Sequence, residues 1–83
     1  MASTHDMLMK FLVRNFPVSR IKHNGRFRRA IVFDGGDIYL CSDQNRLIEL
    51  KYKLMVVLKE TFLVDDSTCI IALDNFLQIE ELG

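Results

Sequence analysis

Ser3-Thr4-His5-Asp6 is a short polar stretch, and a mostly apolar run from Met7 to Phe16 follows it. A serine followed by an acid three residues later is a capping-box pattern, here with Asp6 where Glu or Gln is more usual. A helix is therefore predicted over Met7–Phe16, with Lys10 and Arg14 on one face at i,i+4 spacing. Pro17 ends it, because the residue before a proline avoids helical backbone angles. The competing pattern is a strand, with Met7, Met9, Phe11 and Val13 on one side.

The period then shortens to two. Val18-Ser-Arg-Ile-Lys-His23 is followed by Asn24-Gly25 and by Arg26-Phe-Arg-Arg-Ala-Ile-Val-Phe33. Asn-Gly favours the type I′ turn, which needs positive φ at both central residues and matches the twist of paired strands. Asp34-Gly35-Gly36-Asp37 marks a second turn, leading into Ile38-Tyr-Leu-Cys41. These segments predict a three-stranded antiparallel meander.

With two-residue loops at both turns, the register sorts the side chains by face. Val18, Phe27, Ile31, Phe33, Ile38 and Leu40 form the expected core face, with Arg20, Lys22 and Arg29 at its margin. Ser19, Ile21, His23, Arg26, Arg28, Ala30, Val32 and Tyr39 form the other face, which is expected to be open and basic toward the hairpin tip.

Ser42 or Asp43 is placed to cap a long helix through about Phe62. On its wheel Leu47, Leu50, Leu54, Leu58 and Phe62 line an apolar arc that Ile48, Tyr52, Met55 and Val57 broaden. Such a helix is expected to be covered on most sides. Arg46, Glu49, Lys53 and Glu60 form its polar stripe, with Glu49 and Lys53 as an i,i+4 pair, and Lys51 and Lys59 would snorkel. Ser67 is placed to cap a last helix, Thr68–Leu82, with Ile70, Leu73, Phe76, Leu77 and Ile79 inward and Asp74, Gln78 and Glu81 outward. Residues 53–58 and 69–73 remain open between helix and strand. The predicted fold is one α+β domain over residues 1–83, ordered α-β-β-β-α-α, with the helices on one face of the sheet.

Composition excludes disorder, since six Phe and two Tyr sit among repeated Ile and Val. Cys41 and Cys69 lie inside apolar runs and read as small buried hydrophobes of a reducing, intracellular compartment, cytoplasmic or nuclear. Met7–Val13 is broken by Lys10 and lacks a basic flank, so no secretory signal is expected, and no apolar run approaches membrane length.

Zero net charge hides a division. Residues 1–30 carry seven basic residues against Asp6 alone, and residues 31–83 carry four basic against ten acidic, so +6 faces −6. Such asymmetry bears on partners rather than on fold.

Little catalytic chemistry is legible. His5 lies near a terminus and His23 beside a hairpin tip, and neither has a spacing that offers a nucleophile and an orienting partner. The cysteines and histidines lack the close pairs of a zinc site. The acids flanking Gly35-Gly36, and the strand that follows, oppose a phosphate loop. A non-enzymatic protein without cofactor, metal, membrane or small-molecule substrate is expected.

The candidate binding residues are Arg20, Lys22, His23, Arg26, Arg28, Arg29 and Tyr39, with Asp34, Asp37 and Asp43 as an acidic partner surface. The run from Asn24-Gly25-Arg26-Phe27 to Gly36-Asp37-Ile38-Tyr39-Leu40, then a helix, resembles the three-stranded-sheet-plus-helix DNA-binding domains of integrase arms. It lacks the tryptophan usual there. The expected function is that of a small regulatory protein, an adaptor or inhibitor that binds a protein through a charged surface. Self-association and nucleic-acid binding through the basic sheet face are the alternatives.

Overall fold

In the computed structural model, which describes residues 3–78, Ser3 accepts a hydrogen bond from the Asp6 backbone N–H at 3.1 Å and caps α1, Thr4–Asn15. Leu8 and Leu12, one turn apart, are its fully buried pair, while Lys10 and Arg14 are exposed. The helix closes at Phe16, ahead of Pro17.

Three strands follow, β1 (Val18–His23), β2 (Arg26–Phe33) and β3 (Asp37–Leu40), antiparallel and in the order β1-β2-β3. Asn24 and Gly25 hold φ of 51° and 79°, so the first turn has the expected two-residue form. The second turn differs. Asp34 and Gly35 also take positive φ, 53° and 74°, but Phe33 pairs with Asp37, which makes a loop of residues 34–36.

One extra residue in that loop moves β3 by one position and turns each of its side chains to the opposite face. Tyr39, expected on the open face, is fully buried opposite Ile31. Ile38, expected in the core, is 44% exposed, and Leu40 lies half-buried beside Ala30 on the uncovered face. Val18 and Phe27, also expected in the core, are exposed.

Asp43 caps α2, Gln44–Thr61, by accepting from the Arg46 N–H at 3.2 Å. Leu47, Leu50, Leu54 and Leu58 are buried as one stripe. The broad covered arc forms only in part: Met55 packs on the core and Val57 is half-buried, but Ile48 and Tyr52 are exposed, Tyr52 at 63%. Glu49 pairs with Arg46 at 2.9 Å rather than with Lys53. Lys53 turns instead to the Tyr39 hydroxyl, at 2.7 Å, and to Asp37, at 3.8 Å.

The last helix, α3 (Asp66–Leu77), starts before the expected Ser67 cap. Asp65 is the cap and accepts from both the backbone N–H and the hydroxyl of Thr68. These hydrogen bonds, the hydroxyl's first, hold the Asp65 carboxyl below its ordinary range. Cys69, Ala72, Leu73 and Leu77 face the core, and Ile70 lies nearer the surface than expected. Residues 53–58 and 69–73 are both helical. The predicted continuation of α3 to Leu82, with Ile79 and Glu81, lies outside the described residues.

The architecture is the expected α+β order, with the helices over the sheet face that carries Ile31 and Tyr39. Both α1 and α2 pack on α3, and α2 is the helix that meets β3. Lys51 reaches Asp74 at 2.7 Å, and His5 Nε2 lies 3.1 Å from Asn75 Nδ2, tying α3 to each neighbour. Phe16 stacks on Phe33 with ring centres 5.8 Å apart, while Phe11 meets Phe62 edge-on at 5.2 Å.

The register makes a sharp expectation. Tyr39→Ala is expected to cost about 3–5 kcal/mol, as for other large buried aromatics. Ile38→Ala, on the open face beside Val32, is expected to cost less than about 1 kcal/mol. Urea unfolding followed by circular dichroism checks the ranking, and a reversed order would contradict the three-residue loop.

Candidate functional site

The candidate site is built by a difference in strand length. Strand β2 pairs with β1 from Arg26 to Ile31, but with β3 only from Ala30 to Phe33. The Cys41 N–H still donates to the Arg29 carbonyl at 3.0 Å, after which the chain turns away toward the Asp43 cap. Residues 20–29 therefore run on as a two-stranded ribbon, and neither strand makes an extensive contact with a helix.

The ribbon carries Arg20, Lys22, Arg26, Arg28 and Arg29 and no acid. All five are exposed, as is His23. Pairing divides them between two faces. Arg20, Lys22, Phe27 and Arg29 share one face, and Ile21, His23, Arg26 and Arg28 share the other. Arg20 stands directly opposite Arg29, an arrangement of like charges that destabilises a strand pair. A single compensation is visible on this face, where the Arg20 guanidinium lies 5.4 Å from the centre of the Phe27 ring.

Ion pairing deepens the contrast between the halves of the chain. All four basic residues after position 30 have acidic partners: Arg46 with Glu49, Lys51 with Asp74, Lys53 with Asp37, and Lys59 with Asp66. Among the described residues, none of the seven before position 30 has one. The acids of the helical body are thus partly neutralised in place, and the ribbon cations are left to solvent.

The expected acidic surface is largely occupied by internal work. Asp37 holds Lys53, Asp43 caps α2, and Asp34 lies in the positive-φ turn. Tyr39 is not a surface residue at all. Its ring is sealed in the core with the Arg46 guanidinium 4.2 Å from its centre, and its hydroxyl engages Lys53. That hydrogen bond, ahead of the nearby negative charge, holds the Lys53 ammonium above the ordinary lysine value.

Of the sequence candidates, six come together on the ribbon, and Tyr39 does not. Phe27 is the residue that sequence reasoning misplaced. Assigned to the core, it is 67% exposed among the cations. Sequence held part of the signal, since a helix cap at Ser42-Asp43 leaves the third strand too short to flank Arg26–Arg29, but it does not show whether a helix covers Phe27.

Other chemistry is sparse. A groove of ≈ 560 Å³ runs between His23, Asn24 and Arg28 of the ribbon and Ser42, Asp43 and Gln44 at the start of α2. Burial pushes the Cys69 thiol up, away from the reactive thiolate. Among the described residues no three His, Cys, Asp or Glu side chains gather as metal ligands, and no helix is long and apolar enough to cross a membrane. No family model, curated protein or solved structure matches this chain.

If the opposed arginines serve binding rather than folding, relieving them should not harm the fold. Arg29→Gln is expected to raise the unfolding midpoint slightly at low salt, with the gain fading at high salt as screening removes the repulsion. Thermal unfolding at two salt concentrations checks this. A marked fall in the midpoint would instead show Arg29 to be a structural residue.

Proposed function

We propose that this protein binds nucleic acid through its basic ribbon. One observation carries the proposal: five exposed cations on residues 20–29 that have no acidic partner among the described residues, two of them held opposite each other at a cost to the hairpin. A polyanion relieves that repulsion on binding and releases its own counterions, and this release is the main source of affinity for phosphate backbones.

The placement of the cations favours a polyanion over a flat acidic protein surface. Arg20, Lys22 and Arg29 project from one face of the ribbon, and Arg26 and Arg28 project from the other. A flat partner engages one face and leaves the opposite charges unused. Phosphates that pass around a narrow element, or that line both walls of a groove, meet both sets. Two-stranded ribbons are narrow enough to enter a nucleic-acid groove. The ten acids of the remaining chain oppose this less than their number suggests, since Asp37, Glu49, Asp66 and Asp74 are paired within the body.

The adaptor or inhibitor reading rests on a different surface. Ile21, Val32, Ile38 and Leu40 share the sheet face opposite the described helices. Apolar surface on an open sheet suits a protein partner or a second copy of the chain.

Binding to duplex DNA, single-stranded DNA and RNA across a salt series tests the proposal. We expect affinity at low salt to fall linearly, on logarithmic axes, as salt rises. Arg26→Ala and Arg28→Ala should each reduce the slope by roughly 0.7–0.9, the value of one lost phosphate contact. Absence of binding to all three at low salt would overturn the proposal. Sedimentation at several concentrations then decides whether the open sheet face joins two copies.

A further inference from the structure

Phe27 is an anomaly on a hairpin of this composition. A large aromatic ring, 67% exposed, stands among Arg20, Lys22 and Arg29 on one ribbon face, in a region with which none of the described helices makes an extensive contact. Exposure of this kind does nothing for the core. An aromatic surrounded by cations does fit one ligand chemistry well, that of a nucleobase attached to a phosphate backbone. The ring stacks on the base while the cations meet the phosphates, and Arg adds a cation–π contribution.

Two features of the geometry decide how the ring is used. The Arg20 guanidinium lies over the ring, 5.4 Å from its centre, so one ring face already has a partner and the other is left for a ligand. Wedging a side chain between stacked base pairs carries an unstacking cost that an already unpaired base does not. Phe27 also pairs with Lys22, one step back from the tip pair His23–Arg26, so it projects from the side of the ribbon and not from its leading end. A ring in that position cannot lead an insertion into a duplex, but it can receive a base from a strand that lies across the ribbon.

Resting on the nucleic-acid reading above, we infer that the Phe27 face is a single-strand site, in which one unpaired base stacks on the free face of the ring and Arg20, Lys22 and Arg29 hold the flanking phosphates. The partner is therefore single-stranded DNA or RNA, or an unpaired segment within a duplex. A stacking contact is tolerant of base identity and does not read the sugar, because every base presents a π-face.

The chain contains no tryptophan, which makes the test direct. Phe27→Trp places a single indole at the site. Oligothymidylate or oligouridylate of about 15 nucleotides, within the site sizes that such platforms use, is titrated against this variant and against wild type. We expect the indole fluorescence to be quenched as the oligonucleotide binds, with affinity kept or raised. Phe27→Ala should weaken binding to the same oligonucleotides by roughly 5- to 150-fold, the range measured for one lost base-stacking contact. Its affinity for a blunt duplex of equal length should stay within about twofold, and its circular dichroism should match wild type.

Equal losses on single strand and duplex would overturn the stacking assignment. So would an unchanged single-strand affinity in Phe27→Ala, or an unquenched indole in a complex that forms. In each of these cases the nucleic-acid reading survives, provided that Arg26→Ala and Arg28→Ala still reduce the salt slope. If wild type binds no nucleic acid at low salt, both proposals fall together.

Discussion

The burial of Tyr39 is the constraint on which the two layers of this protein depend. Its ring fills the space between β3 and α2, and α2 is the helix that meets the sheet. The hydroxyl is not stranded in the core, because the Lys53 ammonium donates to it at 2.7 Å, while the Arg46 guanidinium stacks on the ring at 4.2 Å. Arg46 also donates to the Ile38 carbonyl at 3.3 Å and bonds Glu49 at 2.9 Å. One buried aromatic thus fixes where α2 lies on the sheet and occupies two of the four cations that α2 carries. With Lys51 and Lys59 bonded to α3 acids, every basic residue of α2 is engaged within the body.

That consumption is what sets the ribbon apart. The helical body neutralises itself with short local pairs, most of them partly exposed and individually worth little. Their consequence is organisational. Among the described residues, Lys10 and Arg14 of α1 and the five cations of residues 20–29 have no acidic partner, and the five are concentrated on one ribbon. Hairpin segments outside a core need charge on their edges to avoid pairing with other chains, and the arginines also meet that need. Solubility alone does not explain Arg20 opposite Arg29, nor an exposed phenylalanine between them and Lys22. The opposed arginines cost the hairpin stability, which a polyanion of the kind proposed would recover.

The elements themselves were legible because local chemistry sets them. Ser3 with Asp6, Asn24-Gly25, Pro17 and the Leu47-Leu50-Leu54-Leu58 stripe each act within a few residues, and each holds in the structure. The apolar run at 69–73 suited a strand as well as a helix, and the Asp65 cap and the α3 contacts resolved it, as the periodicity alone did not. The partners of Glu49 and Lys53 were misread because i,i+4 proximity competes with tertiary contacts, and Tyr39 outbid Glu49 for Lys53.

By itself, then, the sequence determined the order of elements, the first hairpin with its register, and the concentration of positive charge on that hairpin. All of these follow from dihedral preference, capping and periodicity, which are properties of neighbouring residues. Only the tertiary structure decided which face of β3 is inside, because the second loop can hold two residues or three, and burial of Tyr39 goes with the three-residue form. It likewise decided that Phe27 is a surface residue, since burial depends on whether another element reaches that far, and β3 stops short of it. A residue's face is a local property, but its cover is supplied by chain that is distant in sequence.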